Sequence, residues 1–270
     1  MSGQMIRLGL IGAAGRMGKE IIRQVAEKPT VDIVAGIEQA GSPFVGLDCG
    51  ELAGTGSIGV DIEDSFDLLM GKVDVLIDFT VPESTVNSVR FCCKYGLPLV
   101  IGTTGLGDHL EFVKSSAQKM PIVMAPNMSI GVNLSFKIVE LAAEILGSGF
   151  DTEIIEAHHR NKIDAPSGTA LRYGEIVAKK LGVDLATSAV YGRQGQIGAR
   201  KPDTIGFETV RAGDIVGDHT VLFAGNGERI EITHRASDRS AFASGAILAA
   251  EWLKDKKPGL FDMQDVLGLR

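Results

Sequence analysis

The chain has 270 residues, 44% of them hydrophobic and 23% charged, with a formal net charge of −7. That length accommodates two ordinary domains with sizeable cores, and the balance of apolar to charged residues excludes a disordered chain. The acidic balance, with no basic run longer than Lys254-Asp255-Lys256-Lys257, argues against a nucleic-acid partner.

No apolar run reaches the roughly 18 residues of a membrane span, and the opening segment lacks the charged-then-apolar pattern of an export leader. A cytoplasmic protein without a membrane partner is expected. Cys49, Cys92 and Cys93 form neither an even disulfide framework nor a spaced metal pair, so they read as thiols in a reducing compartment.

Ile6 to Ile11 is a short apolar run. A glycine-rich turn follows it, and then apolar residues at helical spacing, Met17, Ile21, Ile22 and Val25. The order is strand, turn, helix. Gly12, Gly15 and Gly18 are spaced G-x-x-G-x-x-G, one residue longer in the first interval than the common dinucleotide turn. The physical logic is the same: small residues let the backbone approach a pyrophosphate, and the free N–H groups and dipole of the helix start favour its charge. Alone, such a turn is equally a tight connection that binds nothing.

The next strand, Val31 to Glu38, ends in a carboxylate 20 residues after Gly18, suited to accept hydrogen bonds from ribose hydroxyls. Turn and carboxylate together point to a nicotinamide dinucleotide. Glu38 leans toward NADH, and Gln39 offers no cation for a 2′-phosphate. Arg16, inside the turn, could partly supply one, so NADH and NADPH both stay open.

Continuous apolar runs recur at Val73 to Ser84, Leu97 to Gly105 and Met120 to Ser129, with helical segments at Ser84 to Tyr95 and Gly107 to Lys119. They read as parallel strands buried on both faces of a Rossmann-like, doubly wound α/β domain. Ligands in such sheets bind beyond the carboxyl ends of the strands. Phe79-Thr80, Gly102-Thr103-Thr104 and Ala125-Pro126-Asn127-Met128 would therefore flank a nicotinamide ring.

After a helix over Asn133 to Leu146 the texture changes to strand-like segments with Gly and Asp turns, including a hairpin turn at Ala224 to Arg229. The expectation is a mostly antiparallel α+β domain with one crossover helix, Thr169 to Leu181. The helical tail, with Trp252 and Phe261, would return to the first domain. The expected domains are 1–128 with 241–270 for the dinucleotide, and 129–240 for substrate binding and oligomerisation, since a small sheet has a face to cover.

The stretch EAHHRNKIDAPSGTA, Glu156 to Ala170, concentrates the chemistry. On a strand, His158 and His159 point to opposite faces and should have different jobs. Lys162 follows, and Ser167 is a candidate N-cap with Gly168, Thr169 and Ala170 in the first helical turn. A helix N-terminus, a cation and two imidazoles titrating near neutrality fit a small anionic substrate that must be protonated. Adjacent histidines splay apart, and no Cys or Glu at ligand spacing completes a tetrahedral set, so no metal is expected.

This block, together with GAAGRMG, IGTTG and TIGFETVRAGDIVGDHTV, closely resembles the dihydrodipicolinate reductases of bacterial lysine and diaminopimelate synthesis over essentially the whole chain. The resemblance implies reduction of the small dicarboxylate 4-hydroxy-tetrahydrodipicolinate, with loss of water, by NADH or NADPH. It implies that Gly12, Ala13, Ala14, Gly15, Arg16, Met17 and Glu38 hold the adenosine and pyrophosphate half of the cofactor. Gly102, Thr103, Thr104, Ala125, Pro126, Asn127 and Met128 would line the nicotinamide end. It further implies His158 as proton donor, Lys162 as second donor or electrostatic partner, His159, Gly168 and Thr169 as carboxylate-binding residues, and a homotetramer. Many members place an arginine where this chain has Gln39. Two alternatives stand beside this reading: another NAD(P)-dependent dehydrogenase of a small carboxylate, and a non-catalytic dinucleotide-binding redox sensor.

Overall fold

Short apolar runs alternating with amphipathic segments fold, in the computed structural model, which describes residues 5–270, into two units. These are Met1–Ile130 with Arg239–Arg270, and Gly131–Asp238. The first four residues of the expected 1–128 domain lie outside the described residues.

The first unit begins β1 (Ile6–Ile11), α1 (Arg16–Ala26), β2 (Val31–Ile37), α2 (Cys49–Ala53) and β3 (Ile62–Glu63). It continues β4 (Val75–Asp78), α3 (Pro82–Tyr95), β5 (Leu99–Ile101), α4 (Leu110–Ser116) and β6 (Pro121–Met124). The second unit comprises α5 (Ile130–Leu146), β7 (Asp151–His158), α6 (Gly168–Leu181), α7 (Leu185–Ser188), β8 (Ala189–Tyr191), β9 (Ile205–Arg211), β10 (Gly217–Ala224) and β11 (Arg229–Ala236). The chain then returns to the first unit as α8 (Ser240–Leu253), β12 (Gly259–Phe261) and α9 (Met263–Val266).

The first sheet is parallel, in the order β12-β6-β5-β4-β1-β2-β3. Its central strands are buried on both faces; every residue of Val75–Asp78 and of Leu99–Ile101 is inaccessible, as their unbroken aliphatic character requires. One face packs Leu8, Leu10, Ile21, Ile22 and Ile247; the other packs Ile11, Leu76, Val89, Leu99 and Val113. Helices on both faces make a doubly wound domain whose ligand crevice lies beyond the strand carboxyl ends. Proline opens α3 and Gly96, in the left-handed region at φ 67°, ends it.

The second sheet has the order β11-β10-β7-β9-β8. It is mixed rather than mostly antiparallel: β10 pairs antiparallel with β7 and β11, while β9 pairs parallel with β7 and β8. The cause is connection length. The tight turn after Ala224 reverses the chain into a hairpin, whereas the long excursion through α6 allows β7 and the later strands to run the same way. Val132, Phe136 and Val139 of α5 and Tyr173 and Val177 of α6 cover one face. On the opposite face Ile155 and Val210 remain exposed.

Candidate active site

The glycine turn of the first unit has the geometry of an anion cradle. Gly12 sits at φ 80°, where a Cβ would fall 2.9 Å from Thr80 Cγ2 and 3.0 Å from the Phe79 carbonyl. At Gly18 a Cβ would drive into the backbone carbonyls of Gly12 and Ala13, so only glycine lets α1 approach the turn this closely. Gly15 is the N-cap of α1 and supplies no side-chain cap, and no acidic residue occupies the first turn. The positive end of the helix is open to an anion.

Glu38 follows β2, and its Oε1 accepts the Ala14 N–H at 2.9 Å. The acid thereby ties the β2 end to the turn while its second oxygen can accept from a hydroxyl. These features fit a dinucleotide: an anion-accepting helix start and a carboxylate able to accept from hydroxyls lie at one turn.

Gly102, Thr103 and Thr104 follow β5, and Ala125, Pro126, Asn127 and Met128 follow β6. Both groups lie at the same sheet edge as the turn, as the strand order demands. Their side chains divide, however. Ala13, Ala125 and Met128 face the core, so these three can meet a cofactor only through backbone atoms. The Thr103 hydroxyl is committed within the protein, donating to Asp78 Oδ1 at 3.1 Å and accepting the Thr80 N–H at 2.9 Å. Asp78 is fully buried, and burial pushes its carboxyl up despite hydrogen bonds from Ser88, Thr80, Thr103 and Thr85. Arg16, Thr104 and Pro126 are exposed, and Glu38 and Asn127 half-buried.

In the second unit, β7 ends at His158, and Glu156 lies two residues earlier on the same buried face. His158 Nδ1 lies 2.5 Å from Glu156 Oε2. The same carboxylate accepts Arg211 Nη1–H on Oε2 and Nη2–H on Oε1, each at 2.8 Å, with the Thr209 hydroxyl and the Ser167 N–H on Oε1 at 3.2 Å. Burial favours the neutral acid, but the bonds from Arg211 and His158 prevail and hold Glu156 below the usual glutamate range. His158 moves the opposite way: burial outweighs the attraction of Glu156 and holds its imidazole below the usual histidine range.

The α6 start adjoins this cluster. Ser167 is the N-cap, its Oγ accepting the Ala170 N–H at 3.2 Å and sharing a 2.8 Å hydrogen bond with His219 Nε2. The first turn of α6 has no acidic residue. Open space surrounds the point where a Cβ on Gly168 would sit, and Thr169 is half-buried. His219 packs edge-on against His158 at 5.0 Å between ring centroids. Burial lowers its pKa to about 3, so it is neutral near physiological pH.

His159 Nδ1 is buried without a hydrogen-bond partner among the described residues, a polar atom available to a ligand. Lys162 Nζ contacts Asp164 Oδ1 at 2.8 Å and Oδ2 at 2.9 Å. Its ammonium is therefore ion-paired within the loop, and a substrate carboxylate would have to share or replace Asp164.

The structure thus brings His158, Ser167 and the Gly168 end of α6 around one carboxylate, with the residues following β1, β2, β5 and β6 grouped in the other unit. Sequence reasoning missed Glu156, Thr209, Arg211 and His219. Glu156 carried a signal, since residues two apart on a strand share a face. Thr209, Arg211 and His219 lie in the TIGFETVRAGDIVGDHTV segment that carries the resemblance, but no local spacing links them to Glu156; they reach the cluster because β9 pairs Thr209 with Glu156 and Arg211 with His158, and β10 pairs His219 with Glu156.

A doubly wound domain with an open glycine-turn helix, in one chain with a buried imidazole beside a helix N-terminus, defines a dinucleotide-dependent oxidoreductase. The model for "Dihydrodipicolinate reductase, N-terminus" matches residues 6–128 and that for "Dihydrodipicolinate reductase, C-terminus" matches residues 131–267. The chain belongs to the dihydrodipicolinate reductase family.

Two relatives, each named 4-hydroxy-tetrahydrodipicolinate reductase, are similar over nearly their whole length. The one from Alkalilimnicola ehrlichii is 56% identical, covering 97% of this chain and 99% of its own. The one from Methylococcus capsulatus is 55% identical, covering 98% and 99%. A solved dipicolinate-bound dihydrodipicolinate reductase from Paenisporosarcina sp. TG-14 is 27% identical, with a TM-score of 0.76 over 97% of this chain and 99% of that one.

Proposed function

We infer that this chain reduces 4-hydroxy-tetrahydrodipicolinate to tetrahydrodipicolinate and water, with NADH or NADPH as the hydride source, in lysine and diaminopimelate synthesis. One observation carries the reading: the imidazole of His158 and the open first turn of α6 are held on a single buried carboxylate. A proton donor and an anion site are thereby fixed side by side.

The cofactor, held at Gly12, Ala13, Ala14, Gly15, Arg16, Met17 and Glu38, and at Gly102, Thr103, Thr104, Ala125, Pro126, Asn127 and Met128, supplies a hydride when bound. His159, Gly168 and Thr169 hold the substrate carboxylates, and Lys162 adds positive charge that stabilises electron density entering the ring. After loss of water leaves a conjugated imine, hydride joins the carbon that bore the hydroxyl. The neighbouring carbon takes the proton from His158, whose N–H bond breaks while the nitrogen keeps the electron pair. The imidazole is left neutral and regains a proton from solvent.

Glu38 and the absence of a cation at Gln39 favour NADH, while exposed Arg16 keeps NADPH usable. The exposed Ile155 and Val210 on the mixed sheet suit burial against further copies of the chain, in line with a homotetramer. A net charge of −7 gives no attraction to nucleic acid, no helix among the described residues is long and apolar enough to cross a membrane, and a cytoplasmic location fits both.

The test is loss of nicotinamide absorbance on freshly generated 4-hydroxy-tetrahydrodipicolinate, with each cofactor in parallel. Turnover with wild type and a fall in kcat of about 100-fold or more in His158→Gln, at unchanged cofactor affinity, is expected. Cofactor binding without turnover of this substrate would reject the reading.

A further inference from the structure

We propose that Glu156 positions the proton donor: its carboxylate, clamped by Arg211, accepts the Nδ1–H of His158 and so makes Nε2 the nitrogen that delivers the proton. The proposal rests on the reductase reading above and adds to it a residue with no contact to the reacting atoms.

Glu156 is 1% exposed, and an ionised carboxylate only accepts hydrogen bonds. Arg211 keeps it ionised through two parallel bonds at 2.8 Å, the bidentate geometry that best compensates a desolvated charge. An imidazole nitrogen 2.5 Å from that carboxylate must therefore carry a proton, in the neutral ring as well as in the cation. Nδ1 is fixed as N–H, and Nε2 is the atom that gains and loses the titrating proton.

Surroundings of Nε2 agree. Gly217 lies beside it: a Cβ there would sit 3.1 Å from Nε2, so a side chain at 217 would crowd the delivering atom. The donor face is kept clear.

Glu156 also reaches the anion site. Its Oε1 accepts the Ser167 N–H at 3.2 Å, and Ser167 caps α6. One carboxylate thus fixes both the imidazole and the start of the helix assigned to the substrate carboxylates. A purely structural ion pair tying β7 to β9 would account for Arg211 alone. It would not account for contacts to both functional elements.

The groups acting on His158 are Glu156 on β7, Arg211 on β9 and Lys162 in the loop after β7, with His219 of β10 packed edge-on against its ring and His234 of β11 paired beside His219. Burial, Lys162 and Arg211 weaken its hold on a proton, and Glu156 strengthens it. Removing the two partners should consequently move His158 in opposite directions, which loss of packing alone would not do.

The experiment is 15N NMR of the intact enzyme with labelled histidines, His158 being assigned by the signal lost in His158→Gln, together with pH profiles of kcat/KM. In wild type, Nδ1 should remain protonated throughout the titration while Nε2 moves. Glu156→Gln should shift the His158 midpoint and the descending limb of kcat/KM to lower pH, and Arg211→Gln should shift both to higher pH. Glu156→Gln should also lower kcat about tenfold or more with the KM for NADH within about twofold. Nδ1 titrating in wild type, or a His158 midpoint unmoved in Glu156→Gln, overturns the proposal. The wild-type spectrum decides the tautomer even if a variant does not fold. A shifted NMR midpoint with an unmoved kinetic limb rejects His158 as the proton donor and overturns the proposal with it, leaving only the assignment of the tautomer.

Discussion

At the scale of single residues, the second unit keeps a histidine where its charge is not tolerated. His219 is 4% exposed, and burial lowers its pKa to about 3 against an ordinary 6.5. Between those values the unfolded chain binds a proton that the native chain refuses. The stability contributed by neutral His219 is complete above pH 6.5 and is lost as pH falls toward 3. At pH 5 the loss from this residue is about 2 kcal/mol, from one and a half pH units below the unfolded value. His219→Phe keeps a ring against His158 but has no proton to gain. It should be less stable at pH 7.5 by about 1–3 kcal/mol, for the lost bond to Ser167, yet lose about 2 kcal/mol less than wild type between pH 7.5 and pH 5. Urea unfolding at the two pH values checks this; parallel losses in both proteins would mean that His219 charges freely in the native state.

The residue scale also marks where the sequence was readable. His158, His159, Lys162 and Ser167 lie within one short stretch, so their chemistry could be assembled by spacing alone, and Ser167 is the N-cap that spacing predicted. Thr209, Arg211 and His219 come from strands that follow a helix and a long loop, and strand register is not written in local pattern. Burial carries a further limit. Strand-end position put Ala125 and Met128, and the resemblance put Ala13, at the cofactor edge of the sheet, but neither could tell that their side chains turn into the core.

At the scale of elements, the long periodic segments were legible and the short ones were not. α3 and α6 begin within two residues of where apolar periodicity and caps put them, because several turns of amphipathic pattern outweigh any single residue. Strands β3 and β12 hold two and three residues, too few for a period, and they exist because an edge of the parallel sheet offers them partners. The element most open to a decisive test is α1. Replacing a helical glycine with alanine ordinarily stabilises by roughly 0.5–1 kcal/mol. At Gly18, however, the added Cβ meets the backbone carbonyls of Gly12 and Ala13, atoms that cannot rotate away. Overpacking of this kind costs typically about 1–3 kcal/mol, so the clash prevails and α1 must withdraw from the turn. Gly18→Ala should lower thermal stability and weaken NADH binding about tenfold or more, read by cofactor fluorescence titration. Unchanged binding would remove the close approach of α1 from the cofactor site.

At the scale of the whole molecule, chain order and folding units do not coincide. Gly131–Asp238 is one uninterrupted stretch, whereas the first unit is built from both ends of the chain. The returning segment is not decoration: Ala243, Ala246, Ile247, Ala250 and Leu253 of α8 are buried in the same core as Leu8, Leu10 and Ile21, and α8 lies so close to the end of β6 that a Cβ on Gly245 would strike the Met128 carbonyl. Emptying one buried Leu or Ile position alone costs about 2–5 kcal/mol, against a total domain stability of about 5–15 kcal/mol. Losing Ile247 and Leu253 together with the alanines between them therefore exceeds what the unit can spare. A fragment of residues 1–130 should fail to fold, while 1–130 joined to 239–270 by a short flexible linker should unfold cooperatively and bind NADH. Residues 131–238, with their own core around Phe136, Tyr173, Val177, Phe207 and Val221, should fold without the rest. Circular dichroism melts of the three fragments check the prediction. A cooperative melt from 1–130 alone would mean that the C-terminal return adds cofactor affinity or assembly to a unit already able to hold its sheet, and the discontinuity would then need a functional cause in place of a folding one.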